Sequence, residues 1–129
     1  MFEKYMIVAE KAQNTLEGKR ITGFQFGAKI PYYRGLGLSM VEDIQVKIDN
    51  KPVKPEAIRF TVHGNTYTLA ELENEPEDRW EMGEVAIISV NKKGGLSKGE
   101  HKIDLLVNLR ISYLPFPAIR VASKTLMIN

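Results

Sequence analysis

Apolar and polar residues alternate along much of this chain with a period of two. Ile44, Val46 and Ile48 are interleaved with Asp43, Gln45, Lys47 and Asp49, the pattern of a strand with one face on a core and the other in water. Asp49-Asn50-Lys51-Pro52 follows as a turn, because these residue types preset or tolerate the backbone angles a reversal needs. Ile58, Phe60 and Val62 repeat the alternation with Arg59, Thr61 and His63. Gly64-Asn65 then predicts a two-residue hairpin into Thr66-Tyr67-Thr68. The longest case is Ile103, Leu105, Val107, Leu109 and Ile111, five apolar positions in strict alternation.

Three less regular segments, 21–33, 84–90 and 118–128, also predict strands. Val85-Ala86-Ile87-Ile88 is apolar on both faces, as a central strand requires. Gly23 and Gly27 within the first segment predict a bulge or a close backbone approach. The single helical signal is Thr68-Leu69-Ala70-Glu71, a capping box with Thr68 as N-cap. It supports about two turns through Leu72 before Pro76 ends the pattern. Short strands, turn residues and at most one short helix predict one all-β domain over residues 1–129, a β-sandwich or jelly roll.

Composition narrows the function classes. At 129 residues, 43% hydrophobic and 26% charged, the chain is sized for one domain with a proper core. It has no cysteine, which excludes disulfides and thiolate chemistry and suits a reducing compartment. The first residues carry no basic stretch followed by an apolar one, so no signal peptide is expected. Apolar runs fall far short of the roughly 20 residues that span a bilayer. The expected location is the cytoplasm, with no membrane partner. The net charge is +2, and Lys19-Arg20, Lys92-Lys93 and Lys98 are scattered in sequence. Nucleic-acid binding is therefore not expected, since it calls for a gathered basic stripe with stacking aromatics.

A search for catalytic sets returns fragments. The two histidines, His63 and His101, lie 38 positions apart with no spaced ligands beside either. There is no nucleophile elbow, P-loop or dinucleotide fingerprint. Gly94-Gly95-Leu96-Ser97-Lys98-Gly99 resembles a phosphate cradle but lacks the helix that should follow, which favours a hairpin loop. The acidic run Glu71, Glu73, Glu75, Glu77 and Asp78 lacks the ligand spacing of a calcium loop and reads as solvated surface. The richest cluster is Tyr32-Tyr33-Arg34-Gly35. Two amphipathic rings and a planar five-donor cation suit a sugar, an aromatic ligand or a partner protein, although packing of one ring in a core explains the cluster equally well. Trp80 is open to the same two readings. His101 is a weaker binding candidate, and Ser112-Tyr113-Leu114-Pro115-Phe116-Pro117 marks an exposed connection or sheet edge.

The motifs nevertheless form a set. Gly23-Phe24-Gln25-Phe26, Pro31-Tyr32-Tyr33-Arg34-Gly35-Leu36 with Leu38-Ser39, and Gly94-Gly95-Leu96 followed by Gly99-x-His101 resemble the small (beta) subunit of bacterial C-glycoside deglycosidases. Trp80 and Ser112-Tyr113 fit the same pattern, so the likeness runs from Asn14 to Tyr113. The resemblance implies a hetero-oligomer with a TIM-barrel large (alpha) subunit, similar to sugar-phosphate isomerases, that holds a divalent metal, Mn²⁺ being the expected ion. The implied substrate, bound at the partner's site, is a 3-keto-C-glucoside of a flavonoid or related phenol. A carbon–carbon glycosidic bond offers no oxygen to protonate, so ordinary glycosidase acid catalysis fails. A ketone at C3 instead acidifies the C2 proton, and elimination can then release the aglycone. The resemblance places that carbon–carbon lyase chemistry on the partner and no cofactor in this chain. Tyr32, Tyr33 and Arg34 are the first candidates for substrate or partner contact, with Trp80 and His101 behind them. Two rival expectations stand beside it: a free-standing carbohydrate-binding β-sandwich, and a self-sufficient jelly-roll isomerase or lyase using His101 and Tyr33.

Overall fold

In the computed structural model, which describes residues 5–32, 34–111 and 118–128, the alternating segments become the strands of two antiparallel sheets. In chain order they are β1 (Ile7–Glu17), β2 (Arg20–Ala28), β3 (Leu36–Gly37), β4 (Val41–Ile48), β5 (Lys51–Pro52), β6 (Ile58–Val62) and β7 (Asn65–Thr68). The helical turn α1 (Leu69–Leu72) follows, then β8 (Arg79–Trp80), β9 (Ala86–Asn91), β10 (Gly99–Leu109) and β11 (Ala118–Ile128). One sheet has the order β1-β2-β9-β6-β7, the other β11-β10-β4-β5, and β3 pairs with β8 as a short ribbon. The fold is all-β, as the pattern predicts.

Period two explains the layering. Ile44, Val46 and Ile48 on β4 and Ile103, Leu105, Val107 and Leu109 on β10 point inward from one sheet. Phe24, Phe26, Phe60, Ile88 and Val90 meet them from the other, and all belong to one buried cluster. Strand β9 lies at the centre of its sheet, which accounts for its run of apolar residues.

Local chemistry sets the turns. Asp49 and Asn50 both have positive φ (49° and 70°), the type I′ geometry that suits a two-residue hairpin. The β6–β7 turn sits one residue earlier than predicted: Val62 pairs with Asn65, and His63 and Gly64 take positive φ of 53° and 78°. The capping box forms, since Thr68 Oγ1 accepts from the Glu71 amide while Glu71 Oε1 accepts from the Thr68 amide. The helix is one turn rather than two. The 92–98 loop is not a hairpin: it carries the chain from β9 in one sheet to β10 in the other.

The topology gives the sandwich two distinct ends. At the loop end lie segments 29–32 and 34–40, segment 73–85, the His63-Gly64 turn and Arg110, whose amide donates to the Met40 carbonyl at 2.8 Å. At the hairpin end lie the Asp49-Asn50 turn, the β1–β2 turn and the 92–98 crossover, tied to β2 by the Lys92 and Gly94 amides, which donate to the carbonyls of Thr22 and Ile21. Among the described residues no helix is long and apolar enough to cross a membrane.

Candidate functional site at the two ends of the sandwich

The loop end collects most of the predicted site residues. Trp80 is fully buried. Its ring meets Phe60 edge-on at 5.1 Å and 73°, and its Nε1 donates to the Glu84 carbonyl at 3.1 Å. Tyr32 is also a core residue, 6% exposed. Both rings are buried in this chain, where they support the loop from beneath. Arg34, two residues ahead of β3, is exposed. Tyr33 and the Ser112–Pro117 cluster lie outside the described residues. Two apolar side chains join Arg34 at this end, Tyr5 at 57% exposed and Met82 at 59%.

Beside this surface lies a network that the acidic run did not reveal. Protonated His63 donates from Nδ1 to Asp78 at 2.7 Å and from Nε2 to Glu84 at 2.6 Å. Asp78 also accepts from the Tyr67 hydroxyl at 2.6 Å. These bonds hold the Asp78 carboxyl down at about 2, chiefly through Tyr67, while Asp78 pushes the Tyr67 hydroxyl up to about 12. Asp78 and then Glu84 raise His63 above its ordinary value. Asp78 is thus a clamp rather than solvated surface; only its spacing from His63 in the folded chain identifies it.

A pH dependence follows. A histidine raised on folding stabilises fully below its unfolded value of about 6.5, and the contribution fades as pH rises through the folded value. Asp78, being lowered, contributes above the ordinary carboxylate range and fades only towards pH 2. Wild-type protein should therefore lose melting temperature between about pH 6 and 8, and His63→Gln should flatten that slope. Parallel slopes in the two proteins would remove His63 from this role.

His101 stands at the other end, roughly 26 Å from Leu109 along β10 at a rise of about 3.3 Å per residue. Its side chain is 12% exposed. Nδ1 donates to Asp49 Oδ2 at 2.7 Å and Nε2 to the Ser97 carbonyl at 2.8 Å, so Asp49 first and Ser97 second raise its pKa. Asp49 is lowered by the same bond and accepts from the Lys102 amide at 2.9 Å through its other oxygen. This histidine locks the Asp49-Asn50 turn to the crossover.

A second lock holds the same loop. The Leu96 amide donates to Asn14 Oδ1 at 2.9 Å, and Asn14 Nδ2 donates to the Leu96 carbonyl at 3.0 Å. Asn14→Ala would orphan both backbone groups, and the expected loss is roughly 1–3 kcal/mol, measured by urea unfolding. A change below about 0.5 kcal/mol would show that water replaces the amide at no cost.

The two histidines are therefore separated by the length of the sandwich, and each has both ring nitrogens engaged. Among the described residues no group of three His, Cys, Asp or Glu side chains could hold a metal ion. The basic residues, scattered in sequence, are gathered by the fold: Lys19-Arg20, Lys51, Lys54, Lys92-Lys93 and Lys98 all fall at the hairpin end.

The family model described as C-glycoside deglycosidase beta subunit matches residues 2–113. The C-glycoside deglycosidase beta subunit of Eubacterium cellulosolvens is 32% identical over 88% of this chain and 78% of its own length. A 3'-dehydrocarminate deglycosidase beta subunit from a Microbacterium species is 30% identical over 73% of this chain and 70% of its own. The C-glycoside deglycosidase beta subunit of Arthrobacter globiformis is 24% identical over 86% and 85% respectively. This chain belongs to the C-glycoside deglycosidase beta subunit family.

Proposed function

We propose that this chain is the non-catalytic small subunit of a carbon–carbon lyase that removes the sugar from 3-keto-C-glucosides of flavonoids or related phenols in the cytoplasm. The observation that carries the reading is the state of its histidines. Each is held at both ring nitrogens by carboxylate or carbonyl oxygens, and they sit at opposite ends, so neither is placed to take a proton from a sugar. Proton abstraction and elimination then belong to a TIM-barrel large subunit, together with the divalent metal, for which the described residues here offer no ligand set. A relative named for a 3'-dehydro compound supports a substrate oxidised at that position.

The loop end is the face proposed to meet the large subunit. It carries Arg34, Tyr5 and Met82 as exposed side chains, a cation and apolar groups of the kinds that anchor interfaces. Co-expression with a TIM-barrel partner should give one co-eluting complex at micromolar concentration, and C-deglycosylation should require both chains. The variant Met82→Asp should weaken association at least tenfold while the chain alone melts unchanged. Separate elution of the wild-type proteins, or turnover by this chain alone, would overturn the proposal.

A further inference from the structure

At the hairpin end the two sheets part around a cleft of about 540 Å³, inside the range of about 300–1,000 Å³ typical of small-molecule sites. Its floor is the end of the core itself, with Ile48 from β4, Val90 from β9 and Leu96 from the crossover. Its rim carries Lys51, Lys54 and Lys92, all exposed. The ion pairs among the described residues leave these three lysines out. Asp49 also lines the cleft, but it is committed to His101 and to the Lys102 amide. Lys51, Lys54 and Lys92 thus stand around an apolar floor with the lining carboxylate, Asp49, already held by His101.

The walls are fastened by side-chain locks. His101 fastens the Asp49-Asn50 turn to Ser97 on one side, and Asn14 fastens Gly95-Leu96 on the other. Neither lock belongs to a strand ladder. Together they fix the two loops in place beside the end of the core, and such preorganisation lowers the ordering cost of a ligand. These locks also absorb the Gly-Gly-Leu and Gly-x-His motifs, which the assembly reading leaves without a task.

The geometry points to a second binding site, for a small organic carboxylate: an apolar, ring-sized body rests on Ile48, Val90 and Leu96, and its anionic group lies among Lys51, Lys54 and Lys92. Lysine suits this task as a compact point charge, since no planar bidentate partner is demanded. The site faces away from the surface assigned to the large subunit, so both can be filled at once.

The test is calorimetric titration of the full chain with 1-naphthoate, supported by amide chemical shifts. Saturable binding is expected, with shifts centred on Gly95, Leu96 and Lys102. Neutral 1-naphthalenemethanol and inorganic phosphate should each bind at least tenfold more weakly, because one lacks the charge and the other the apolar body. Lys51→Gln, Lys54→Gln, Lys92→Gln should lower naphthoate affinity at least tenfold at unchanged melting temperature. No saturation by millimolar naphthoate, equal binding by the triple variant, or shifts mapping elsewhere would each overturn the site. Because the chain is titrated alone, its result is independent of whether a large subunit assembles.

Discussion

Trp80→Ala is expected to cost about 3–5 kcal/mol of stability, the range for truncating a large buried ring. Trp80 is the largest fully buried side chain in the core, and three losses coincide when it is removed. Its apolar surface leaves the core, Phe60 loses its edge-on partner, and the Glu84 carbonyl loses its indole donor. Trp80→Phe separates these effects, because it keeps a ring against Phe60 but leaves the carbonyl unserved; its cost should fall between wild type and alanine. The damage should also be directional. Trp80 pairs with Leu36 through the β3–β8 ribbon, so the segment carrying Arg34 should become the first site of proteolysis in the alanine variant. Urea unfolding supplies the energies. A loss under about 1 kcal/mol would mean that the indole is not a core anchor and would return it to the binding candidates.

How much of this was legible in the sequence depends on which force placed each residue. Strands β4, β6 and β10 were legible because each has one face on the core, and a buried face imposes period two directly on the chain. Strand β1 was not. Its residues Ala9, Glu10, Lys11, Ala12 and Gln13 are helix formers, and a register shift between Val8 and Gln13 breaks the alternation. Only pairing with β2 holds the segment extended, and a sequence window does not contain that partner. The β6–β7 turn slipped by one residue because Gly64 satisfies the positive-φ requirement at either turn position, and His63 accepts the other. Trp80 gave no local sign of burial, flanked as it is by Arg79 and Glu81. The candidate site was least legible, since His63 finds Asp78 and Glu84, and His101 finds Asp49, through strand order alone. The same applies to the lysines, which only the topology brings to one end.

Gly23→Ala is expected to cost at least about 3 kcal/mol, beyond the usual range for overpacking, because the obstruction is backbone. A Cβ on Gly23 would overlap the Val90 carbonyl oxygen and crowd Thr15 Oγ1 at 3.2 Å. A flexible side chain could swing away, but this carbonyl is fixed where β2 pairs with β9. Gly95 is the companion case. It has φ of +61°, and a Cβ there would meet Asn14 Oδ1 at 2.5 Å and the Gly23 carbonyl at 2.8 Å. Gly94, by contrast, has φ of +79° with nothing within 4 Å, so Gly94→Ala should carry only the left-handed strain of about 1–2 kcal/mol. Thermal unfolding of the three variants should rank Gly94→Ala as the mildest, and a Gly23→Ala protein within about 1 kcal/mol of wild type would sink the close-approach account. Gly23 and Gly95 are two of the glycines on which the family resemblance rests, and the fold presses one against the other beside Asn14. Gly23 leaves room for the Val90 carbonyl of β9, and Gly95 leaves room for the crossover to lie on the first hairpin, a packing that sets one wall of the lysine-rimmed cleft.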